Sequence, residues 1–553
     1  MQSADFDRVP ELISDHLNPF GFQTISDLLD RAFEQYPDNI AFSCLDVTLT
    51  FSELDHLSRA FAVYLQNEAG LRPGDRIAIQ LPNILQYPVA AFGAIRAGLV
   101  VVNTNPLYTP REMKHQLSDS GARALVLLDS RLDLADELLA ETPIELLIHT
   151  SLNDMQTLVS GRMVERSPLQ QIIPLQTTLA LGLGHTPTPA DATPTSLAVL
   201  QYTGGTTGVA KGSMLTHSNL VANQLQITAL LGDYLVPGQE IYIAPLPLYH
   251  IYAFTFHLLA LFERGAHSVL IPNPSDLDSL ITAASRWPFT GFAGINTLFV
   301  ALCSNDAFRN LDFSSLKLTS SGGMALTRAA AELWRQVTGV TISEGYGLSE
   351  TAPAVCLNRP SDPRVGTIGV TVADTEIQVI DDNGQPLPNG EIGELCVKGP
   401  QVMKGYWKRP HESAKVFLPG GWFRTGDMAM IQDDGLTRIV DRKKEMIIVS
   451  GFNVFPNEIE DVVSLHAKVR ECAVIGMDDA RTGERVRLYV VPEDAELSQA
   501  EVLEHCRKSL TPYKVPKEVI FCDQLPKSNV GKILRRVLKD QALSEAKAEP
   551  TLA

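Results

Sequence analysis

The chain of 553 residues is long enough for at least two domains with large hydrophobic cores. Its 64 Asp and Glu residues outnumber 46 Lys and Arg residues, and the net charge of −18 argues against a nucleic-acid partner and against strong attraction of the whole surface to anionic lipid. The seven cysteines form no CxxC pair, which predicts reduced thiols in a cytosolic protein and argues against a zinc site. No apolar run reaches the roughly 20 uninterrupted residues that span a bilayer, so we expect any membrane contact to be peripheral.

From residue 73 onward, short β-branched runs alternate with segments of helical periodicity. Thr109 and Pro110 form a helix start in which a capping residue precedes proline, and Gly121 is a typical stop. Strands and helices that alternate at these lengths predict parallel sheets with helices on their faces. The predicted strands are 76–80, 99–102 and 124–128, and the predicted helices are 87–96 and the segment that starts at Pro110.

A different pattern begins at residue 366. Residues 366–399 form short β-rich segments with Asp-Asn-Gly and Asn-Gly turns, which predict a small barrel or sheet. A polar, turn-rich stretch at 427–442 precedes about a hundred residues with strands and helices of their own. We therefore expect an α/β protein with a large N-terminal domain, residues 1–440, of parallel-sheet subdomains with helices plus a small β-barrel-like subdomain. A small α+β C-terminal domain, residues 441–553, would follow.

A glycine-rich stretch has the composition of a phosphate-binding loop. It reads Tyr202-Thr203-Gly204-Gly205-Thr206-Thr207-Gly208-Val209-Ala210-Lys211-Gly212. Backbone N–H groups of such a loop can approach an oxyanion closely, and the hydroxyls and the lysine are further donors. It is not a Walker A loop, because Ala210 precedes the lysine and Gly212 follows it. The apolar run before it and the helix-like stretch 217–231 after it predict a strand–loop–helix setting, with a plain surface turn as the alternative.

Several other motifs are difficult to explain as scaffold. They combine paired glycines, an aromatic ring, carboxylates and lysines in short spans, as a site for a flat, anionic ligand requires. They are Ser320-Ser321-Gly322-Gly323-Met324, Glu344-Gly345-Tyr346-Gly347-Leu348-Ser349-Glu350-Thr351, Gly421 to Asp427, Asp441 to Glu445, and Leu525 to Arg536.

Each candidate in these motifs has a structural alternative. An isolated Tyr346 is more typical of a core, an Asp427 after Thr-Gly is typical of a turn, and Glu350 suits a capping position. Lys532 could belong to a solvated basic helix start. His250, in the run Pro247-Leu248-Tyr249-His250, could be a hydrogen-bonded core histidine.

Taken together, the motifs resemble those of the acyl-adenylate-forming enzymes, the superfamily of acyl-CoA synthetases, luciferases and carrier-loading adenylation domains. The resemblance covers about residues 25 to 540. Within it, residues 200–216, 247–251 and 439–460 resemble the bacterial long-chain fatty acid–CoA ligases. The resemblance implies that a fatty acid carboxylate attacks the α-phosphorus of ATP and pyrophosphate leaves. The thiol of CoA then displaces AMP from the acyl-adenylate, and the acyl-CoA feeds β-oxidation.

The resemblance also implies roles for particular residues. Thr206 and Glu350 would hold Mg²⁺, whose preferred ligands are such hard oxygens. Tyr346 would stack on adenine against Gly322 and Gly323, and Asp427, assisted by Arg442, would take the ribose hydroxyls. The residues implied to bind ATP or AMP are Thr203, Gly204, Gly205, Thr206, Thr207, Gly208, Lys211, Gly322, Gly323, Gly345, Tyr346, Gly347, Ser349, Asp427 and Arg442.

Four residues are implied to be catalytic: Lys532, His250, Thr206 and Glu350. Lys532 matches the C-terminal lysine that stabilises charge on the carboxylate and the α-phosphate. His250 would lie near the substrate carboxylate. Phe254 and Gly294 would line the acyl channel, although Phe254 departs from the tryptophan that gates the tunnel in some long-chain synthetases, and apolar helix faces are more typical of a core.

The same resemblance implies a mobile C-terminal domain. Lys444 aligns with the hinge residue, and rotation about it would withdraw Lys532 and bring Ser450, Gly451 and Phe452 to the pantetheine passage of CoA. The resemblance leads us to expect a cytoplasmic enzyme that associates peripherally with the inner face of the membrane, and it leaves a homodimer open.

Other functions remain open from the sequence. A medium-chain or aryl acid could replace the long-chain acid, because a short pocket and a long tunnel can share residue types. An amino-acid substrate would need an acidic partner for its ammonium group, and residues 251–256 contain none. A non-catalytic nucleotide-binding protein would not need Lys532.

Overall fold

The computed structural model describes residues 13–155, 171–203, 210–528 and 531–548. The predicted phosphate-loop residues Gly204, Gly205, Thr206, Thr207 and Gly208 lie outside these ranges. In chain order, the strands are β1 (Ile40–Cys44), β2 (Val47–Thr50), β3 (Arg76–Gln80), β4 (Val100–Asn103), β5 (Ala122–Leu128), β6 (Leu146–Thr150), β7 (Ile172–Pro174), β8 (Leu197–Thr203), β9 (Lys211–Thr216), β10 (Ile241–Ala244), β11 (His267–Leu270), β12 (Gly291–Gly294), β13 (Leu318–Ser321), β14 (Ile342–Gly347), β15 (Ala354–Leu357), β16 (Val370–Thr371), β17 (Glu376–Ile380), β18 (Gly393–Lys398), β19 (Phe423–Ile431), β20 (Thr437–Arg442), β21 (Ile447–Val449), β22 (Phe452–Val454), β23 (Val469–Asp479), β24 (Gly483–Pro492) and β25 (Glu518–Phe521).

The helices connect these strands and cover the sheets. The α-helices are α1 (Ile25–Gln35), α2 (Phe51–Asn67), α3 (Gln86–Arg96), α4 (Pro110–Ser120), α5 (Ala135–Glu141), α6 (Leu175–Gly182), α7 (His217–Leu231), α8 (Ile251–Ala253), α9 (Leu277–Ser285), α10 (Asn296–Cys303), α11 (Asp306–Arg309), α12 (Arg328–Thr338), α13 (Pro410–Val416), α14 (Pro456–Ser464), α15 (Gln499–Ser509) and α16 (Arg535–Ala548). A π-helix, Phe254–Leu261, continues α8. None of the helices in the described ranges is long and apolar enough to cross a membrane.

The first large sheet has the strand order β7-β6-β5-β3-β4-β8-β9 and is parallel except for β9. Its central strands are buried on both faces, as the apolar run of β3 predicts. The predicted helix starting at Pro110 is confirmed: the Thr109 side chain accepts the N–H of Glu112, and Gly121 ends the helix at φ 67°. The strand at 76–80 is also confirmed, and the other predicted boundaries in this region move by one or two residues.

The second large sheet positions most of the candidate site residues. Its strand order is β16-β15-β14-β13-β12-β10-β11-β1-β2, with a parallel centre and antiparallel strands at both edges. The motif that begins at Glu344 occupies the end of β14, and Gly322 follows the end of β13. Because parallel strands present their carboxyl ends at one edge, these two motifs lie side by side.

The predicted helix 217–231 is confirmed as α7, but the strand–loop–helix prediction omitted strand β9, which lies between the glycine-rich loop and α7 and pairs antiparallel with β8, so that Thr203 lies opposite Lys211. The stretch 427–442, predicted to be turn-rich, is mostly strand. It contains most of β19 and all of β20, which pair so that Asp427 lies opposite Arg442. Polar residues obscured the alternation there because they line a cavity instead of facing a hydrophobic core.

A small antiparallel sheet, β17-β18-β19-β20, completes the large domain. The small C-terminal domain is an α+β unit, as predicted. Its sheet, β22-β21-β24-β23, adds β25 parallel to β24 and has a hydrophobic core of its own with helices α14 and α15. This domain packs against the edge of the large domain where β14 and β20 end.

Candidate active site

A cavity of about 700 Å³ opens between the carboxyl edge of the second sheet, the β19–β20 hairpin and the C-terminal domain. Residues from motifs more than 200 positions apart in the chain contribute to its wall. The predicted site residues among them are Gly323, Gly345, Tyr346, Gly347, Asp427, Arg442 and Lys532. The fold therefore brings together seven of the predicted residues around one cavity.

Asp427 is the polar centre of this cavity. The Tyr346 hydroxyl donates to Asp427 Oδ2 at 2.5 Å, and Arg442 Nε lies 2.7 Å from Asp427 Oδ1. Burial raises the pKa of Asp427, and the Arg442 guanidinium opposes this shift. Burial and the nearby carboxylate raise the pKa of Tyr346 well above its usual range, so its hydroxyl stays a donor. The strand register of the hairpin, with Asp427 opposite Arg442, fixes this pair.

The glycines beside Tyr346 serve different purposes. Gly323 has φ +84° and open space where a Cβ would point, so a ligand can approach its backbone. A Cβ at Gly322 would lie 3.2 Å from the Tyr252 ring. A Cβ at Gly347 would lie only 2.0 Å from the Pro353 carbonyl oxygen, so the packing of the backbone requires glycine there, whereas a Cβ at Gly345 would lie 2.5 Å from the end of the Leu357 side chain, which can move.

Glu350 lies beside the strands that bracket the glycine-rich loop. It belongs to the short 3₁₀ turn Ser349–Thr351, which packs against β8 and β9. Glu350 Oε1 accepts the Tyr406 hydroxyl at 2.9 Å, and burial raises the pKa of the Glu350 carboxyl. Thr206, the other predicted metal ligand, lies outside the described residues.

Lys211 begins β9 and forms an ion pair with Glu412 of α13. Its Nζ lies 2.7 Å from Glu412 Oε2 and 5.2 Å from the centre of the Tyr406 ring. Hydrogen bonds from Lys211 and Lys415 lower the pKa of Glu412 to about 2. The predicted phosphate ligand thus has a carboxylate partner within the protein. Thr203 is the last residue of β8, the strand that pairs with β9.

Lys532 reaches the cavity on a tight turn of the C-terminal domain. Its backbone N–H donates to Ser528 Oγ at 3.1 Å, and its carbonyl accepts the Ser528 N–H at 2.7 Å. The turn docks through Gly531, whose carbonyl accepts the Thr297 hydroxyl at 3.4 Å. Gly531 has φ +74°, a left-handed backbone conformation that favours glycine, and a Cβ there would lie 2.7 Å from the terminal methyl group of Ile295.

Charge repulsion and burial both act on the Lys532 ammonium. Burial lowers its pKa, and the Arg442 guanidinium lowers it further, whereas Glu445 and Asp427 oppose the shift. His250 lies close enough to Lys532 for the ammonium charge to affect the pKa of the imidazole. Burial, with Lys532 acting in the same direction, lowers the pKa of His250 to about 4, so the imidazole is neutral at pH 7. Its Nδ1 accepts the Tyr252 N–H at 3.3 Å, which leaves the proton on Nε2.

The acyl-channel candidates do not line this cavity. Phe254 is fully buried as the first residue of the π-helix. A Cβ at Gly294 would lie 2.7 Å from the Phe299 ring, so this glycine makes room for an aromatic side chain. Phe254, Gly294 and His250 are not among the described residues that line the cavity.

The predicted hinge and CoA-passage residues lie at the domain junction and on an exposed hairpin. Lys444 belongs to the 3₁₀ turn Lys443–Glu445, which joins β20 of the large domain to β21 of the small one. Ser450 and Gly451 form the β21–β22 turn with φ 53° and 83°. The Phe452 ring is half exposed and stacks on Tyr513 with a centroid distance of 4.7 Å.

Sequence patterns did not identify several residues that the structure places at the site. Glu344 lines the cavity, and burial raises its pKa to about 8, with only the Leu326 N–H donating to it at 3.3 Å. Tyr406 donates a hydrogen bond to Glu350, and Glu412 forms an ion pair with Lys211. Arg535 lines the same cavity as Lys532. Tyr406 and Glu412 lie in a segment without a recognised motif, so no sequence signal marked them.

Comparisons with known proteins agree with this geometry. Residues 29–407 match the AMP-binding enzyme family model, and residues 458–532 match the AMP-binding enzyme C-terminal domain. The chain belongs to the AMP-binding enzyme family. It is 46% identical to a long-chain-fatty-acid–CoA ligase of Escherichia coli O6:H1, over 98% of this chain and 99% of the relative, and 34% identical to one of Bacillus subtilis strain 168, over 95% and 96%.

Solved structures share the architecture. The anthranilate CoA ligase AuaEII in complex with anthranoyl-AMP superposes with a TM-score of 0.85 at 25% identity, over 96% of this chain and 99% of that one. ATP-bound MatB from Rhodopseudomonas palustris superposes with a TM-score of 0.81 at 28% identity, over 94% and 99%. The fold is therefore that of the adenylate-forming enzymes.

The Lys211–Glu412 pair generates a prediction about nucleotide affinity. Replacing Glu412 with Gln removes a carboxylate that competes with phosphate for Lys211, so the Kd of a non-hydrolysable ATP analogue should fall by about two- to fivefold, as expected for a partly exposed ion pair. Isothermal titration calorimetry at constant ionic strength measures the change. Lys415→Gln, which removes the other ammonium partner of Glu412, should leave the Kd within about twofold of the wild type. Weaker binding in Glu412→Gln would mean that Glu412 orients Lys211 for the ligand instead of competing for it.

Proposed function

We propose that this protein is a long-chain fatty acid–CoA ligase that releases AMP and pyrophosphate. The observation that carries the proposal is the convergence of Lys532, from the small domain, with the Asp427–Arg442 pair and Tyr346 of the large domain around one cavity. A pure nucleotide binder has no need of a buried lysine from a second domain. The names of the relatives support the long-chain acid as substrate.

The first step joins the acid to AMP. A carboxylate oxygen of the fatty acid forms a bond to the α-phosphorus while the bond from that phosphorus to the pyrophosphate oxygen breaks. Asp427 binds the ribose hydroxyls, Tyr346 stacks on the base, and the Lys532 ammonium offsets the negative charge on the carboxylate and the α-phosphate. Such a step needs mainly positioning and charge stabilisation, which preorganised donors in a buried site provide.

The second step transfers the acyl group to CoA. The sulfur of CoA, which loses its proton, forms a bond to the acyl carbon, and the bond to the AMP oxygen breaks. In the first step, while the acid is still a free carboxylate, neutral His250 carries a proton on Nε2 and can donate a hydrogen bond to it without adding charge. We include in the proposal a boundary between domains at residues 440 and 441 and a rotation about Lys444. That rotation would bring Ser450, Gly451 and Phe452 to the pantetheine passage.

Mg²⁺ is part of the proposal. The residues fit the ion, because Glu350 supplies a buried carboxylate beside the strands that bracket the phosphate loop and Thr206 supplies a hydroxyl within it. A bound ion would neutralise charge on the phosphates and on the pyrophosphate that leaves. Tyr406, by donating to Glu350 Oε1, would orient the carboxylate.

We also propose that the enzyme associates peripherally with the cytoplasmic face of the membrane and acts as a homodimer. Long-chain acids partition into bilayers, so an enzyme that acts on them gains access to its substrate there. Phe254 and Gly294 remain the proposed acyl contacts, reached by a movement of the side chains that now bury them.

A competition among acids tests the substrate class. The protein is supplied with ATP, Mg²⁺, CoA and equimolar octanoate, palmitate, oleate and 4-coumarate, and thioesters are quantified by mass spectrometry. We expect the palmitoyl and oleoyl products to dominate. A dominant coumaroyl or octanoyl product would replace the long-chain substrate with an aryl or medium-chain acid, and the absence of any thioester would contradict the ligase function.

Lys532→Ala tests the role of the lysine. Without its ammonium, the rate of acyl-adenylate formation should fall by at least about a hundredfold, because a buried charge partner of the transition state is lost. Conversion of supplied palmitoyl-adenylate and CoA to palmitoyl-CoA should stay within about threefold of the wild-type rate. Both steps are measured by rapid quench and chromatography. An equal loss of rate in the two steps would contradict the role of Lys532 in acyl-adenylate formation.

Glu350→Gln tests the metal site. The amide oxygen can still accept from Tyr406, so the variant removes the charge and keeps the position. We expect the Mg²⁺ concentration for half-maximal adenylation to rise at least about tenfold, because a carboxylate ligand is replaced by a neutral one. The Kd of AMP without metal serves as control and should stay the same. An unchanged Mg²⁺ requirement would exclude Glu350 as a ligand.

A further inference from the structure

Arg535 lies three residues after Lys532, at the first position of α16. Its side chain is largely buried, with 17% of its surface exposed, and its guanidinium meets oxygens of four other side chains. Nε and Nη2 form a bidentate pair with Glu460 at 3.0 and 2.6 Å, and Nη2 also donates to Asn457 Oδ1 at 2.6 Å. Nη1 contacts the Glu445 carboxylate and lies 3.6 Å from Asp441 Oδ1.

The oxygens around Arg535 come from both sides of the junction residue Lys444. Asn457 and Glu460 belong to α14 of the small domain, Glu445 directly follows Lys444, and Asp441 precedes Lys444 in strand β20 of the β19–β20 hairpin. This cluster, Arg535, Asp441, Glu445, Asn457 and Glu460, is named the junction cluster. It joins the segment that carries Lys532 to both sides of the domain junction.

Asp441 connects the junction cluster to the nucleotide-facing pair. Its Oδ1 accepts the backbone N–H of Arg442 at 2.8 Å, and its Oδ2 accepts the N–H of Asn457 at 2.8 Å. Its side chain is fully buried. One carboxylate therefore contacts the strand that presents Arg442 to the cavity, the start of a small-domain helix and the guanidinium beneath Lys532.

Other polar contacts join the same two surfaces. The Thr297 hydroxyl donates to the Gly531 carbonyl at 3.4 Å, Asn457 Nδ2 donates to the Val440 carbonyl at 3.3 Å, and the Arg328 N–H donates to Asp461 Oδ1 at 3.2 Å. The buried, bidentate pair with Glu460 is strong and directional, and it fixes Arg535 on α14 with its guanidinium facing Asp441 and Glu445 at the junction. Arg535 therefore connects the segment that carries Lys532 both to α14 and to the junction.

We propose that Arg535 is a positioning residue for Lys532: by binding Glu460 and Asn457 of α14 and contacting Asp441 and Glu445 at the domain junction, it holds the Lys532 ammonium in the cavity during formation of the acyl-adenylate. Arg535 does not contact the substrates. The inference rests on the proposed function for its kinetic consequence, but the burial of Lys532 that it predicts can be measured without any substrate. It also implies that Asp441, on the other side of the junction, serves the same step.

Half-reaction rates and chemical labelling test the proposal on the full-length protein. The variants are Arg535→Gln, Arg535→Lys and Asp441→Asn. The matched control is Arg536→Gln, which changes the neighbouring arginine, whose side chain is 63% exposed. For each we measure adenylation of palmitate, thioester formation from supplied palmitoyl-adenylate, the KM for palmitate and the melting temperature. Acylation of Lys532 by an N-hydroxysuccinimide ester, followed by mass spectrometry, reports its accessibility.

We expect Arg535→Gln to slow adenylation at least about tenfold while thioester formation and the KM change by less than about twofold. Lys532 should be acylated several-fold faster than in the wild type. Arg535→Lys should recover part of the adenylation rate, because it restores the charge without the bidentate geometry. The effect of Asp441→Asn should be largely absent in an Arg535→Gln background, because the two residues act as one unit. Arg536→Gln should behave as the wild type does.

Two results would overturn the proposal. Equal losses in both half-reactions with a lower melting temperature would assign Arg535 to general folding, and unchanged adenylation with unchanged labelling would leave it without a role in placing Lys532. If the wild-type protein formed no acyl-adenylate, the proposed function would fail separately. The labelling would then decide: faster acylation of Lys532 in Arg535→Gln supports positioning, and equal acylation excludes it.

Discussion

The candidate site depends on holding two cations, Lys532 and Arg442, together in a cavity that is partly closed to water. Burial and mutual repulsion both disfavour this arrangement, as the lowered pKa of Lys532 indicates. The carboxylates of Asp427 and Glu445 offset the repulsion. A bound anion of several charges, such as a nucleotide phosphate, would complete the balance. Holding the two cations together is therefore unfavourable without a ligand and becomes favourable when an anion binds between them.

The fold meets this requirement by assigning each charge to a different element. Arg442 and Asp427 lie opposite each other in a hairpin whose register fixes their distance, and Tyr346 is placed by the end of a parallel strand. Lys532 comes from another domain on a turn of its own. The large-domain groups are therefore fixed by paired strands, whereas the position of Lys532 depends on a turn at the edge of the other domain.

Much of this could be predicted from the sequence, and the exceptions have physical reasons. The motifs that contain Gly323, Tyr346, Asp427, Arg442 and Lys532 can be recognised in the sequence, because paired glycines and charged residues in short motifs carry a local signal. The hairpin β19–β20 is not recognisable, because polar residues that face the cavity break the apolar alternation that reveals a strand. Strand β9 is not recognisable either, because Lys211, Gly212 and Ser213 give its first half the composition of a loop. The partners of Lys211 and Arg535 were missed for another reason. They come from distant segments, and only the tertiary structure brings Glu412 to β9 or Glu460 to α16.

The docking of the Lys532 turn has a consequence for how such a site can change over time. The turn is seated by the backbone of Gly531 against Ile295 and by the bonds of Ser528 to the backbone of residue 532, and none of these contacts uses the lysine side chain. Recognition between the domains and the chemistry at the tip of the turn are therefore encoded by separate atoms. Mutation can alter the reach or charge of residue 532 without disturbing the fit of the domains, and it can adjust that fit without altering the reactive group.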